Sequence, residues 1–256
     1  MKGIILAAGM GTRLKPLTDV TPKCLVPVNG KPMLEYQLEC LAGAGLEQCV
    51  LVLGYRASQI TNRFGDQHLG MAMSYVQNEL FQETNNLYSL WLARNHLDDD
   101  ILLLESDLLF EDDMIQQLIQ HPDKSVAVVN RYEPPMNGTV ILAANNIANA
   151  MVLKVNQTPG FDYTSALKTV NIYKLSESDM RSSVIPELSR FVDSGRTDQY
   201  YEAIFSDLIA QKRLQMSILR AEELKWAEVD TQEDLSAAEA LFGKDINRTK
   251  HTTISR

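Results

Sequence analysis

Lys2–Ala8 is a short apolar run that ends on Gly9. A run with no polar alternation reads as a strand buried on both faces, which demands a sheet covered by helices on either side. The rest of the chain keeps that rhythm. Strands are expected at Cys49–Leu53, Ala72–Val76 and Ile101–Leu104. Helical spacing falls between them, at Pro32–Ala44 with Leu34, Leu38 and Leu41 on one stripe, and at Ser58–Phe64, Asn85–His96 and Asp112–Ile119. Strands alternating with helices predict an α/β fold with a Rossmann-like mixed, mostly parallel sheet flanked by helices.

After Ser125–Asn130 the pattern changes. Thr139–Ala143, Met151–Val155 and Lys168–Lys174 read as shorter strands, so that about 131–175 is expected to form a small β-rich insertion. Helices return at Ser178–Asp193 and Gln199–Ala210. Short strands follow at Met216–Arg220 and Trp226–Val229, then a helix at Thr231–Phe242. Residues 1–243 are therefore expected to be a single domain, and the polar tail 244–256 to fray.

Composition narrows the partners. Hydrophobic residues are 45% and charged residues 22%, enough for a sizeable core. A net charge of −9 argues against a nucleic-acid surface while leaving room for a local basic pocket. No apolar run approaches a membrane span. Cys24, Cys40 and Cys49 lack metal-ligand spacing and suit a reducing cytoplasm, so a cytoplasmic protein is expected. His68, His96, His121 and His251 show no ligand spacing either.

The first strand runs into Ala8-Gly9-Met10-Gly11-Thr12-Arg13-Leu14. Two glycines let backbone N–H groups face a ligand, and Arg13 adds a forked cation. Lys23 follows Pro22 on an extended segment. The turn residues Pro16, Asp19, Pro22 and Pro27 allow the loop to fold back so that both cations meet one triphosphate. Leu14 stands where a dinucleotide fingerprint needs glycine, and the Gly-Lys-Ser/Thr of a P-loop is absent.

Two aspartates are candidate metal ligands. Asp107 ends ILLLES at the carboxyl end of a strand, where α/β sheets bind ligands, although a plain turn aspartate fits the same position. Asp230 lies between a strand and a helix that Thr231 can cap with Asp234 three residues on, leaving Asp230 free to ligate. Two carboxylates with phosphate oxygens and water suit magnesium.

The string LAAGMGTRLKPLTDVTPKCLVPVNGKPML resembles the signature of the nucleotidyltransferase family that includes sugar-phosphate nucleotidylyltransferases and phosphocholine cytidylyltransferase. Its elements are Gly-x-Gly-Thr-Arg-Leu, then Pro-Lys, then Gly-Lys-Pro opening a helix. The resemblance is close over residues 1–35 and carried by weaker markers beyond. It implies a nucleotide-diphospho-sugar transferase-like fold and a Mg2+-dependent enzyme. A nucleotide site would be formed by Leu6, Ala8, Gly9, Met10, Gly11, Thr12, Arg13 and Lys23. Arg13 would steady the leaving pyrophosphate, Lys23 would bridge the α-phosphate and incoming oxygen, and the metal would sit on Asp107 and Asp230.

Glu83-Thr84-Asn85-Asn86-Leu87-Tyr88-Ser89 resembles the phosphocholine and phosphonoalkyl cytidylyltransferase branch. That likeness implies CTP, with Asn85, Asn86 and Ser89 at the base. Helix capping by Thr84 or Asn85 accounts for the same residues equally well. Lys168 is similarly placed to hold an acceptor phosphate or to be an ordinary strand lysine. An ammonium on the acceptor would want an aromatic cage or a carboxylate, for which Tyr132, Asp162 and Tyr163 are the expected residues, with Glu133, Phe161 and Trp226 as further candidates. Glu133–Gly138 departs from a phosphocholine enzyme, which keeps 2-aminoethylphosphonate and similar compounds open as acceptors. A sugar-1-phosphate nucleotidylyltransferase and a non-catalytic nucleotide-binding module remain the alternatives. Oligomeric state is not legible.

Overall fold

A computed structural model describes residues 1–243, so the tail 244–256, with His251, lies outside the described residues. In chain order the strands and helices are β1 (Lys2–Ala7), β2 (Pro27–Val28), β3 (Lys31–Pro32), α1 (Met33–Gly43), β4 (Gln48–Leu53), α2 (Ala57–Phe64), β5 (Gln67–His68), β6 (Met71–Gln77) and α3 (Asn86–Leu92). They continue with β7 (Ile101–Glu105), β8 (Leu108–Phe110), α4 (Asp112–Gln120), β9 (Val126–Arg131), β10 (Val140–Ala144), β11 (Ile147–Val152) and β12 (Ala166–Leu175). The last are α5 (Glu177–Asp179), α6 (Ile185–Asp193), α7 (Glu202–Ala210), β13 (Ser217–Arg220), β14 (Trp226–Glu228) and α8 (Gln232–Phe242).

Ten strands form one sheet in the order β10-β11-β13-β9-β12-β7-β1-β4-β6-β5. The core β7-β1-β4-β6 is parallel. Beyond β7 the pairing is mostly antiparallel, because β12 returns between β7 and β9 and only β13 runs parallel to its neighbour β9. The sheet is thus mixed, and the parallel part expected from the βα rhythm is its first half. The strand side chains divide between two faces. Ile4 and Leu6 of β1 join the cluster packed by α3, α6 and α7, while Ile5 and Ala7 join the one packed by α1, α2 and α4.

The strands of 131–175 continue this sheet, and β10 also pairs with the first residues of β12. A strand expected at Met151–Val155 starts earlier, at Ile147. Asn145 and Asn146 both adopt positive φ, 53° and 60°, so the turn lies there and IANAMV becomes strand. The helix expected from Gln199 begins at Glu202. Trp226–Glu228 pairs with β8 in a separate two-stranded ribbon.

A third, smaller cluster fastens the first loop to the end of the chain. Leu14, Val28, Met33 and Tyr36 pack with Leu109, Val229, Ala238 and Phe242. The residue that breaks the dinucleotide fingerprint is therefore a buried anchor, bringing the loop that carries Arg13 against α8 and the segment that carries Asp230.

Candidate active site

A cleft of about 1100 Å³ opens over the carboxyl ends of β1, β6 and β7. At its floor Lys23 Nζ donates to Asp107 Oδ2 and to Asp230 Oδ1, 2.6 Å from each. Arg13 Nη2 reaches the same Asp230 oxygen at 2.7 Å. The two aspartates come from distant parts of the chain and are tied by backbone, because Val229 N–H donates to Asp107 C=O at 2.9 Å. Burial opposes the charge on Lys23, but Asp107 and Asp230 outweigh it and hold its pKa above the usual lysine value. Asp234 supplies the predicted capping box, accepting from the N–H groups of Asp230 and Thr231, so Asp230's own carboxylate faces the cleft.

This donor set fits a hard divalent ion. Asp107 Oδ1 is buried with no hydrogen-bond partner among the described residues. A lone pair left bare in this way is costly without a cation beside it. No group of three or more potential protein ligands gathers among the described residues. The pair Asp107 and Asp230 is a donor set that magnesium can use, since it takes one or two carboxylates and fills its shell with phosphate oxygens and water.

Above the aspartates runs the glycine loop. Gly11 is left-handed, with φ 62°, and a Cβ there would come within 2.8 Å of Lys23 Cβ. Only glycine lets Lys23 pass beneath the loop. The N–H groups of Gly9, Met10 and Gly11 have no acceptor among the described residues, as an anion cradle requires. Leu6, Ala8, Gly9, Gly11, Thr12 and Arg13 line the cleft, while Met10 does not. Gly54, absent from the predicted site, closes the wall, since a Cβ there would meet Ala8 O and Phe81 Cβ, each at 2.7 Å.

The start of α3 is richer than a simple cap. Asn85 Oδ1 accepts from Asn86 N–H at 2.8 Å, which is the capping reading of this residue. Its amide Nδ2 has no partner among the described residues and lines the cleft. Ser89 Oγ accepts from Asn78 Nδ2 at 3.1 Å, and its proton has no acceptor among the described residues. Asn86 is engaged at both ends by protein, to Glu105 Oε1 at 2.8 Å and from Tyr201 N–H at 2.9 Å.

The other half of the cleft is acidic. Lys168 is buried, donating to Thr169 O at 2.7 Å and standing 3.4 Å from Glu228 Oε2. Gly138, φ 111°, leaves room for it, as a Cβ there would lie 3.3 Å from Lys168 Nζ. Glu202 is buried beside Thr139, with Oε2 lacking a partner among the described residues. Burial, with Glu228 adding to it against Lys168, pushes the Glu202 carboxyl up to about 7. Glu105 is raised well above its usual range by burial and then by Asp107 and Glu202. Glu228 is raised by burial against the pull of Lys168. The backbone bulges here, Asn171 taking φ 61° inside β12 between the two stretches paired with β9.

Tyr132, Asp162 and Tyr163 do not line this cleft. The two tyrosines stack on each other with ring centres 4.1 Å apart. Their hydroxyls are spent on Met136 O and Gln157 Oε1, so they brace the loops that form the lip. Asp162 is engaged by Thr164 N–H. Glu105, Glu202 and Glu228 line this side of the cleft, and of the aromatic candidates Trp226 does so too. Glu105 and Glu202 escaped sequence reasoning because each ends or opens an apolar element with no motif around it, and Glu228 was passed over beside Asp230 in the same string. The one available signal was a lone charge in ILLLE and in YYEAIF.

A glycine-rich loop above a lysine and two aspartates, set at the carboxyl ends of parallel strands, defines an α/β phosphate-handling protein of the nucleotide-diphospho-sugar transferase-like fold. The chain belongs to the nucleotidyl transferase family, whose sequence model matches residues 2–242. It is 35% identical over 243 residues to the CMP-5′-(3-aminopropyl)phosphonate synthase of Streptomyces rubellomurinus, covering 94% of this chain and 39% of that protein. The chain thus spans well under half of that relative's length. It is 29% identical over 241 residues to the 2-aminoethylphosphonate cytidylyltransferase of Lancefieldella rimae, covering 91% and 90% of the two. The solved structure of CTP:phosphocholine cytidylyltransferase from Streptococcus pneumoniae superposes with a TM-score of 0.75 at 24% identity, over 94% of this chain and 99% of that one.

Proposed function

We propose that this chain is a magnesium-dependent cytidylyltransferase that joins CMP to a small phosphonate or phosphate carrying an amine, with release of pyrophosphate. The observation that carries the proposal is Lys23 pinned between Asp107 and Asp230 beneath the glycine loop. An oxygen of the acceptor's phosphonate attacks the α-phosphorus of CTP. The new P–O bond forms as the bond to the bridging oxygen breaks, and pyrophosphate departs. No protein nucleophile is needed, so alignment and charge neutralisation supply the rate. Free N–H groups of Gly9–Gly11 and the guanidinium of Arg13 hold the departing phosphates. Lys23 serves the α-phosphate and the incoming oxygen. Magnesium, held by Asp107 and Asp230, supplies charge neutralisation of the triphosphate when bound.

The nucleotide and the acceptor rest on separate features. Asn85 Nδ2 and the Ser89 proton are donors that match the O2 and N3 acceptors of cytosine. In the acidic half, one cation among three carboxylates suits an acceptor with a charge at each end. Lys168 would meet its phosphonate, and Glu202 with Glu228 its ammonium. Both curated relatives described above are named for aminoalkyl phosphonates, which agrees with this division.

The test is pyrophosphate release with magnesium, each of the four nucleoside triphosphates and a panel of acceptors. CTP with 2-aminoethylphosphonate, 3-aminopropylphosphonate or phosphocholine is expected to give turnover. Release only from UTP or dTTP with a hexose 1-phosphate would assign the chain to sugar-phosphate activation instead. Triphosphate binding without release from any pair would make it a binding module.

A further inference from the structure

Asn86 lies where its sequence context suggests contact with the base, yet its side chain is spent elsewhere. Tyr201 N–H can only donate, so it must meet the amide oxygen, and the Glu105 carboxylate must meet the amide nitrogen. The partners therefore fix which way the amide points. Three elements converge on it. Asn86 opens α3 on the nucleotide side. Glu105 ends β7, two residues before Asp107, and its backbone oxygen is held by Gln37 Nε2 at 2.9 Å. Tyr201 immediately precedes Glu202, the first residue of α7, whose carboxylate faces the acceptor half. Two further backbone bonds seat α3 on the same segment, from Asn85 N–H to Thr197 O at 2.9 Å and from Leu87 N–H to Gln199 O at 3.4 Å.

We infer that Asn86 is a positioning residue that locks the acceptor-side carboxylate Glu202 to the end of β7, two residues before Asp107, rather than a reader of the nucleotide base. The amide ties two carboxylate-bearing elements at a fixed distance. Glu202 is then held in register with the phosphate-handling floor without a direct bond between the two. Base contacts fall to Asn85 and Ser89. This inference rests on the nucleotidyl-transfer proposal, but not on which triphosphate or acceptor is used.

The experiment is a donor–acceptor swap. Asn86→Asp sets a carboxylate against Glu105 while keeping the oxygen that accepts from Tyr201. Adding Glu105→Gln restores one donor and one acceptor across the same gap, reversed. With whichever substrate pair the wild-type protein turns over, Asn86→Asp is expected to raise the acceptor KM at least tenfold and lower kcat. Triphosphate affinity, measured by calorimetry without acceptor, should stay within about twofold. The double variant is expected to recover most of both losses. A tenfold loss of triphosphate affinity in Asn86→Asp, a changed triphosphate preference, unchanged acceptor kinetics, or a double variant no better than the single would each overturn the inference. Should Asn86→Asp fail to fold, Asn86→Ser is measured in its place, with the same expectations for the acceptor KM and the triphosphate affinity. An absence of turnover by the wild-type protein with every pair would count against nucleotidyl transfer instead. Calorimetry on Asn86→Asp still tests the positioning role there, because a tenfold loss of triphosphate affinity overturns it.

Discussion

At the scale of single residues, the site is built from groups whose charges restrain one another. Lys23 keeps its proton because two aspartates share it, and Glu202 tends to keep its own because burial denies it water. The second effect gives a prediction with a definite sign. The folded-state pKa of Glu202, about 7, lies above the ordinary value of 4.5, so ionisation is disfavoured in the fold. Stability present below pH 4.5 is lost as pH rises through 7, on the order of 3 kcal/mol for one fully buried group. Urea unfolding of the ligand-free protein and of Glu202→Gln at pH 5 and pH 8 is expected to show the variant gaining on the parent at the higher pH. Equal differences at both pH values would remove Glu202 as a strained acid. An amine-bearing acceptor should in turn bind more tightly as pH rises through 7, since its ammonium needs the ionised carboxylate.

Legibility at this scale followed local motif strength. Arg13, Lys23, Asp107 and Asp230 stand in strings whose turns and caps have mechanical reasons, and the fold brings all four together. Asp230 was freed by the Thr231–Asp234 capping box, as its spacing indicated. Tyr132 and Tyr163 went the other way. An aromatic residue near a cleft carries no mark in sequence of which way its ring faces, and here each ring found the other. Asn86 was placed at the right turn of the right helix, but its two partners lie 19 and 115 residues away.

At the scale of elements, the βα rhythm located the parallel strands and their helices well, because each strand there is an uninterrupted apolar run bounded by turn residues. The β10–β11 hairpin was displaced for a specific reason. The expected strands leave the stretch NNIANA between them, whereas Asn145 and Asn146, both at positive φ, make a tight hairpin turn and the residues after them join β11. Asparagine tolerates that region through its short polar side chain, and a β-branched residue does not. Asn146→Val is therefore expected to destabilise the protein by about 1–3 kcal/mol, read as a lowered urea midpoint with the slope unchanged. Asn146→Gly should hold or raise the midpoint. A neutral Val substitution would contradict the turn.

At the scale of the whole molecule, the sheet changes character across β7. The parallel half carries the glycine loop, Asp107 and α3. The antiparallel half, through β12 and α7, carries Lys168 and Glu202, and α8 closes the chain back onto the first loop through Leu14 and Phe242. Sequence could not show β12 entering between β7 and β9. Partner choice between distant strands is set by nonlocal packing, and Lys168–Lys174 reads the same as an edge or a central strand. That insertion is what sets the acidic half of the cleft beside Lys23, Asp107 and Asp230.

The central claim is that Asp107 and Asp230, bridged by Lys23, form the floor on which CMP is transferred. It is tested most directly by pyrophosphate release from CTP, magnesium and 2-aminoethylphosphonate, compared between the parent protein and Asp107→Asn. The parent is expected to turn over, and the variant to fall by at least about 10²–10³-fold with an unchanged unfolding curve. Turnover retained within a few fold in the variant would contradict the claim.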